Sequence, residues 1–264
     1  MNIVVNLMDV LQLDDVYLQT FTRKETKSWG AFFINENSPD YYSANHAQII
    51  EPCTDPTAVI AEVKEFYQSK HLVPRFYIYQ LEQQQKLVAE LKKEGFGFEE
   101  LPGAVQIWDG KVRETEHRTD ITIELVTKEN AEVAVEIECQ IDELGGESRR
   151  NTFYEEFNHP AFAHYLLRVN GTACSTACLF IEGKQARIES VATVPEFRGQ
   201  GLIGELIYFL QKEARSRGIE QLWILPITPR VEKVYERYGF QTVGEIITGH
   251  AFLSGKSIKE IQGS

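Results

Sequence analysis

The sequence predicts an α/β protein of the α+β kind, with helices on a mixed sheet, organised as two successive halves. Three observations predict it. Apolar spacing switches repeatedly between period two and a period near four. Gly, Asn and Pro punctuate the segments where a strand or helix has to stop. The order strand, helix, strand, helix-Gly-Phe, strand occurs twice, at 47–108 and at 186–253. A chain of 264 residues is long enough for two ordinary cores. The polar run Gly110–Asp120, which has no apolar period, marks the boundary and gives expected domains at 1–115 and 116–264.

In the first half, Trp29–Ile34 and Ala47–Ile50 read as strands. Ala58–Gln68 is a helix with Val59, Ile60, Val63, Phe66 and Tyr67 on one side. Arg75–Tyr79 is a strand, Leu87, Val88 and Leu91 mark a helix ending at Gly95-Phe96, and Ala104–Trp108 closes the half. In the second half, Ile121–Leu125 alternates as an opening strand. Residues 129–144 read as a helix, and Glu143–Asn151 as a loop around Gly145-Gly146. From Ala163 a meander begins: His164–Val169, a turn at Asn170-Gly171, Thr172–Ile181, a turn at Glu182-Gly183-Lys184, and Ala186–Thr193. Leu202, Leu206, Leu210 and Ala214, with Ile203 and Ile207, then form a helix stopped at Arg217-Gly218. Leu222–Leu225 is a short strand capped by Pro226. Pro229 opens a last helix bearing Val231, Val234, Tyr235 and Tyr238, and Thr242–Leu253 returns as extended chain.

Composition narrows the function classes. Hydrophobic content of 43% and charged content of 25% are those of a folded globular protein. A net charge of -12 speaks against a nucleic-acid partner, which needs a basic face. It leans towards a cationic substrate such as an amine, although the charge is spread along the chain and also serves solubility. Cys53, Cys139, Cys174 and Cys178 do not make a disulfide framework at this length, and no Cys or His spacing suggests a metal. Cys174 and Cys178, evenly spaced on one strand, read as small buried fillers on one face. Met1–Val5 has no basic stretch leading into a long apolar run, and no segment approaches the ~20 apolar residues of a membrane helix. The expectation is a cytoplasmic protein, monomer or homodimer, with no membrane and no metal.

The chemistry concentrates after the strand at 186–193. There Val194-Pro195-Glu196-Phe197-Arg198-Gly199-Gln200-Gly201 turns directly into the helix that begins at Leu202. A helix start offers unpaired N–H groups and a partial positive charge, so it suits a phosphate. Gly199 and Gly201 let the backbone approach an anion without a Cβ between them, and Arg198 adds a charge.

This string resembles the pyrophosphate loop of the GCN5-related N-acetyltransferase (GNAT) superfamily, Arg/Gln-x-x-Gly-x-Gly/Ala after a strand ending in Val-x-Pro. Arg198 and Gly201 match its first two fixed positions and Pro195 the proline. Ile203 departs from the last, with Gly204 one residue later. The resemblance covers roughly 120–253. It implies a GNAT-like acyl-CoA N-acyltransferase fold, with the N-terminal half a degenerate copy, hence two tandem GNAT-like domains. It also implies acetyl-CoA as cosubstrate, held by Val191, Ala192 and Thr193 along the pantetheine arm, and by Arg198, Gly199, Gln200, Gly201, Leu202, Ile203 and Gly204 at the pyrophosphate. Val234-Tyr235-Glu236-Arg237-Tyr238-Gly239-Phe240 resembles the family's Leu-Tyr-x-x-x-Gly-Phe ending, which gives Tyr235 the role of acid for the departing thiolate. A phenol with a pKa near ~10 keeps its proton at neutral pH and suits that role; the other reading of Tyr235 is a core aromatic. Tyr238 reads as packing.

An amine nucleophile must lose a proton, and Glu189 is the nearest candidate base. Strand alternation puts it on the face of Arg187 and Val191, with Arg187 also a possible ion-pair partner. Glu138, Asp142 and Glu143, on what reads as a solvated helix face, are alternatives. A backbone N–H near Val191 or Ala192 would stabilise charge on the acetyl oxygen. In the N-terminal half, Glu51-Pro52-Cys53-Thr54-Asp55-Pro56-Thr57 puts carboxylates and prolines where a phosphate loop needs glycines. That half is therefore expected to lack CoA; Tyr41-Tyr42 and Asn45-His46 could line an acceptor pocket. The expected function is N-acetylation of a primary amine of a small molecule or peptide by direct attack. The alternative is a non-catalytic CoA-binding or ligand-sensing module on the same fold.

Overall fold

A computed structural model describes residues 7–113 and 118–262. Met1–Val5 and residues 114–117 of the expected boundary lie outside the described residues. The first elements are helix α1 (Leu7–Gln19), strands β1 (Arg23–Lys27), β2 (Gly30–Ile34) and β3 (His46–Ile49), helix α2 (Pro56–Gln68), strand β4 (Arg75–Ile78), helix α3 (Gln85–Lys93) and the long strand β5 (Gly97–Trp108). There follow β6 (Ile121–Leu125), α4 (Ala131–Cys139), α5 (Arg149–Phe157), β7 (Phe162–Val169), β8 (Thr172–Glu182), β9 (Gln185–Thr193), α6 (Leu202–Ser216), β10 (Gln221–Ile224), α7 (Pro229–Arg237), β11 (Phe240–Phe252) and α8 (Ile258–Gln262). The chain divides into two compact units. Among the described residues, one holds Leu7 and 103–245; the other holds 8–102 and 246–262. Among the described residues no helix is long and apolar enough to cross a membrane.

In the unit at 103–245 the strand order is β5-β10-β9-β8-β7-β6. β7 to β9 form the expected antiparallel meander, with β6 antiparallel on its outer edge, and the Asn170-Gly171 turn has φ of 48° and 83°, as a type I′ hairpin requires. β9 and β10 are parallel, joined across α6, and Trp223 of β10 pairs with Ile107 of β5. The apolar stripe of α6 is buried as its period predicts: Leu202, Leu206, Ile207, Leu210 and Ala214 all enter the core. Its end is fixed by Ile219 N–H donating to Ala214 and Gly218 N–H to Arg215, with Gly218 at φ 71°.

The other unit has the order β1-β2-β3-β4-β11. β3 and β4 are parallel across α2, and His250 of β11 pairs antiparallel with Tyr77 of β4. Phe32, Ala47, Ile49, Phe76, Ile78 and Ala251 of the sheet bury against Val63, Tyr67, Leu87 and Leu91 of the helices. In each unit a parallel pair bridged by a helix is completed by an antiparallel strand from the other half of the sequence, β5 on β10 and β11 on β4.

Four elements are not among those expected from the sequence: α1, β1, α5 and α8. The region expected as a loop at 143–151 instead runs through two 3-10 turns into α5, and α4 stops at Cys139. α5 escapes period analysis because its buried positions are Arg149, Thr152, Phe153 and Glu156, three of them polar. Cys174 and Cys178 are both buried, but the register slips between Leu167 and Arg168, so that Cys174 is an extra residue in β8. Its thiol reaches the Leu167 carbonyl (3.8 Å), whereas Cys178 lies beside Glu156, Glu138 and Arg149.

Leu206 is wholly buried in the 103–245 core. Leu206→Ala should lower the unfolding free energy by about 3 kcal/mol, read from urea denaturation, through lost burial and the cavity left behind. A loss below about 1 kcal/mol would contradict that placement.

Candidate active site

The site begins with one surplus residue. Across β8 and β9, Cys178 pairs with Glu189 and Thr176 with Ala192, so Ser190 and Val191 face the single Ala177. That is a β-bulge, and Ser190 adopts φ 50° to make it. A non-glycine residue in the left-handed region costs on the order of 1–2 kcal/mol, so the surroundings must hold it there. The alternation expected along β9 therefore breaks at Ser190. Arg187 and Glu189 do share a face, and they are ion-paired, with Arg187 buried. The extension of that face to Val191 fails because the bulge intervenes.

On the opposite edge, β9 pairs in parallel with β10 from Gln185↔Gln221 to Ile188↔Ile224, and the ladder ends there. From Glu189 to Thr193 the strand stays bonded to β8 but has left β10. β9 then turns through one 3-10 turn (Pro195–Phe197) into exposed Arg198-Gly199-Gln200-Gly201. Gly199 (φ 80°) and Gly201 (φ 76°) are both left-handed, which is the physical reason for glycine at each. Gly201 is the N-cap of α6, and no side chain caps the first turn. Leu202 is buried and Ile203 half-buried, so the helix start is anchored from below with its N–H end outward. Arg198 Nε donates to the Thr193 carbonyl (3.1 Å), tying the loop to the strand end. Arg118 Nη1 donates to the Gln200 carbonyl (2.9 Å) while its Nε and Nη2 grip Asp120. This is a second brace on the loop, from a segment whose sequence reads only as linker. Gly204 serves packing, since a Cβ there would run into the ring and hydroxyl of Tyr238, itself the packing residue it was expected to be.

Tyr235 projects from α7, whose start is fixed by Thr228 accepting from Val231 N–H (3.3 Å) and by Pro229. The tyrosine is 6% exposed. Burial first, and then the nearby Glu189 charge, push its pKa well above that of a free phenol, so it stays protonated. The two reacting groups nominated from sequence, far apart along the chain, are thus brought within electrostatic reach of each other. The residues at 191–193, 198–204, 189 and 235 all fall within the one compact unit.

Residues 132–240 match the acetyltransferase (GNAT) family. This part of the chain belongs to the GNAT superfamily. A 54-residue stretch is 41% identical to an acetyltransferase of Agrobacterium fabrum; it is 20% of this chain and spans 39% of that protein's length. Among solved structures, a GCN5-related N-acetyltransferase from Kribbella flavida superposes with a TM-score of 0.69 at 18% identity, over 94% of this chain and 95% of its own. A conserved protein of unknown function from Staphylococcus epidermidis gives 0.70 at 16% identity, over 91% and 96%. A GCN5-related N-acetyltransferase from Sphaerobacter thermophilus gives 0.61 at 13%, over 96% and 88%. At these identities the likeness speaks to the fold, and it runs through both halves of the chain.

Beneath the bulge of the GNAT unit lies a buried charged cluster. Arg149, the first residue of α5, is 1% exposed in its side chain; its Nε donates to Glu138 Oε2 (2.8 Å) and its Nη1 to Glu156 Oε1 (3.0 Å), with Nη2 on Glu156 Oε2 as well. Nη2 also donates to Ser190 Oγ (3.0 Å). Glu138 is therefore not on a solvated helix face: it is fully buried, because α5, which the sequence pattern does not reveal, supplies its cation. Of the other two alternatives, Asp142 is exposed and Glu143 half-buried on a 3-10 turn. Burial raises the Glu138 pKa to about 7, the Glu156 charge adding to it and Arg149 opposing. His164, with Nδ1 4.0 Å from Glu138 Oε1, is driven down to about 4 by burial and is neutral.

In the other unit, the equivalent helix start carries a carboxylate cap. Asp55 caps α2 by accepting from Ala58 N–H (3.1 Å), with Pro56 at the first helical position. His46 is packed between Phe33 and Tyr77, its Nδ1 3.0 Å from the Ser43 carbonyl, and burial lowers its pKa to about 3. The rings of Tyr41 and Tyr42 lie 5.7 Å apart, tilted on one another. Among the described residues no group of three or more His, Cys, Asp or Glu is placed to hold a metal ion.

Glu138 has a pH signature. Its pKa rises from 4.5 to about 7 on folding, so the stability it contributes is complete below about 4.5 and is lost as pH climbs through about 7. His164, lowered from 6.5 to about 4, acts in the reverse sense over part of that range, losing its contribution as pH falls. Glu138→Gln removes only the first effect. Relative to wild type the variant should gain stability steadily between pH of about 4.5 and about 7, in urea unfolding at a series of pH values; a pH-independent difference would contradict the assignment.

Proposed function

We propose that the GNAT unit is an acetyl-CoA-dependent N-acetyltransferase that moves an acetyl group to a primary amine of a small molecule or peptide by direct attack. The observation that carries it is the continuity of three features on one segment. A strand edge freed from its ladder at Ile188, a doubly left-handed glycine turn and an uncapped helix start follow one another between 189 and 204. The free edge offers strand-type hydrogen bonds to an amide-bearing arm, and the helix start offers N–H groups to a diphosphate. Val191, Ala192 and Thr193 would hold the arm; Gly199, Gln200, Gly201, Leu202 and Ile203 would face the diphosphate with Arg198 adding charge. Bound there, the thioester supplies an activated acyl carbon.

The chain's own residues account for the protons. Tyr235, kept protonated by burial and by Glu189, is suited to donate to sulfur as charge develops on it. Glu189 is the nominated acceptor of the amine proton. Its carboxylate is already engaged by buried Arg187, and that contact favours the second reading, a CoA-binding or ligand-sensing module without turnover. The N-terminal unit, with Asp55 on its helix start, reads as a degenerate copy that does not take CoA.

Thiol release from acetyl-CoA over a panel of primary amines separates the two readings. Turnover with any amine supports the enzyme; saturable CoA binding with no turnover across the panel supports the sensor. Within the enzyme reading, Tyr235→Phe should lower kcat by about a hundredfold while acetyl-CoA affinity stays within about twofold. Unchanged kcat would remove Tyr235 from the acid role. Gly201→Asp should weaken CoA binding by at least about tenfold, because a side chain and a negative charge would enter the diphosphate's place.

A further inference from the structure

We propose that Arg149 is a positioning residue: its guanidinium, fixed between two buried carboxylates, anchors Ser190 in the left-handed bulge and so keeps the 189–193 edge of β9 clear of β10. This rests on the reading of that edge as the seat of the thioester's arm.

Arg149 can hold a direction because its own is over-determined. Both faces of the contact are buried, with Arg149 and Glu156 side chains 1% exposed and Glu138 0%. Glu138 takes Nε from α4, Glu156 takes Nη1 and Nη2 from further along α5, and a planar guanidinium held at two sides cannot rotate. The Nη2–Ser190 Oγ contact (3.0 Å) is therefore made by a rigid donor. A buried cluster of this kind adds little net stability over apolar packing of the same volume, but it does fix geometry.

Ser190 needs such an anchor. Its φ of 50° is a conformation that serine avoids and glycine adopts freely. Without the surplus residue at 190 and 191, β9 would continue in register with β8 and keep its edge against β10 past Ile188. The ladder stops where β10 ends, at Ile224, and the bulge follows directly on β9. The helix whose first residue is Arg149 thus acts on the strand edge through a single hydroxyl.

Variants at Ser190 test this in the full chain, by calorimetric titration with CoA and by hydrogen exchange of the 186–194 segment without ligand. Ser190→Ala keeps the Cβ and loses the anchor; CoA affinity should fall about tenfold and exchange in the segment should rise. Ser190→Gly lacks the hydroxyl too, yet glycine holds the bulge unaided, so its loss should stay within about twofold and exchange should stay near wild type. A contact-only role would give the opposite ranking, with glycine at least as damaged. Arg149→Lys, which keeps the charge and loses the fork, should reproduce the alanine phenotype and be rescued by Ser190→Gly in the same chain. The proposal is overturned if alanine and glycine variants bind alike, or if alanine leaves both affinity and exchange unchanged. If wild type fails to bind CoA, the reading of the edge falls instead. The exchange ranking then tests the anchor alone.

Discussion

A strand edge that leaves its ladder must find other partners for its N–H and C=O groups or leave them to solvent, and in this protein that constraint organises the site. β9 is bonded on both sides up to Ile188 and on one side only from Glu189 to Thr193. The one-residue surplus at Ser190 and Val191 marks the transition. Everything proposed for function sits at or just beyond it. The glycine turn follows from where the strand ends, α6 starts where the turn ends, and α7 brings Tyr235 back towards Glu189 on the parted stretch. Removing the surplus residue would shift the register by one and reverse which side chains of β9 share a face beyond it.

The two units show how one order of elements can serve unlike ends. Both carry a parallel pair bridged by a helix and closed by an antiparallel strand drawn from the far half of the sequence. They differ at the start of the bridging helix. α6 begins at a left-handed glycine with no side-chain cap, whereas α2 begins at Asp55, whose carboxylate accepts from Ala58 N–H and puts a negative charge at the helix start. The same backbone architecture thus has an uncapped helix start in one unit and a carboxylate-capped one in the other.

How much of this is legible in sequence depends on whether the signal is local and apolar. α6 is legible, because Leu202, Leu206, Leu210 and Ala214 repeat at helical spacing and bury as that spacing implies. The loop is legible, because Gly199 and Gly201 have conformations that only glycine takes at no cost. Tyr235 is legible through its fixed distance to Gly239-Phe240. α5 is not, since Arg149, Thr152 and Glu156 dominate its buried face, and a polar stripe gives no hydrophobic period. With α5 unseen, the cation that takes Glu138 out of solvent is hidden, and Ser190's anchor with it. The bulge is invisible for a second reason: period-two extrapolation assumes no inserted residue, and a serine at φ 50° carries none of the mark that a glycine would leave. β1, Arg23–Lys27, is wholly polar and charged, and only its pairing with β2 makes it a strand.

If the segment from Glu189 to Gly204 is one continuous seat for CoA, the arm lies along the strand and the diphosphate on the helix start. Amide chemical-shift mapping of the full-length, isotope-labelled protein with CoA tests this most directly. The largest perturbations are expected at Val191–Thr193 and Gly199–Ile203, with the amides at the start of α2, from Thr57 to Ile60, unmoved. Perturbations confined elsewhere, or none at saturating CoA, would contradict it.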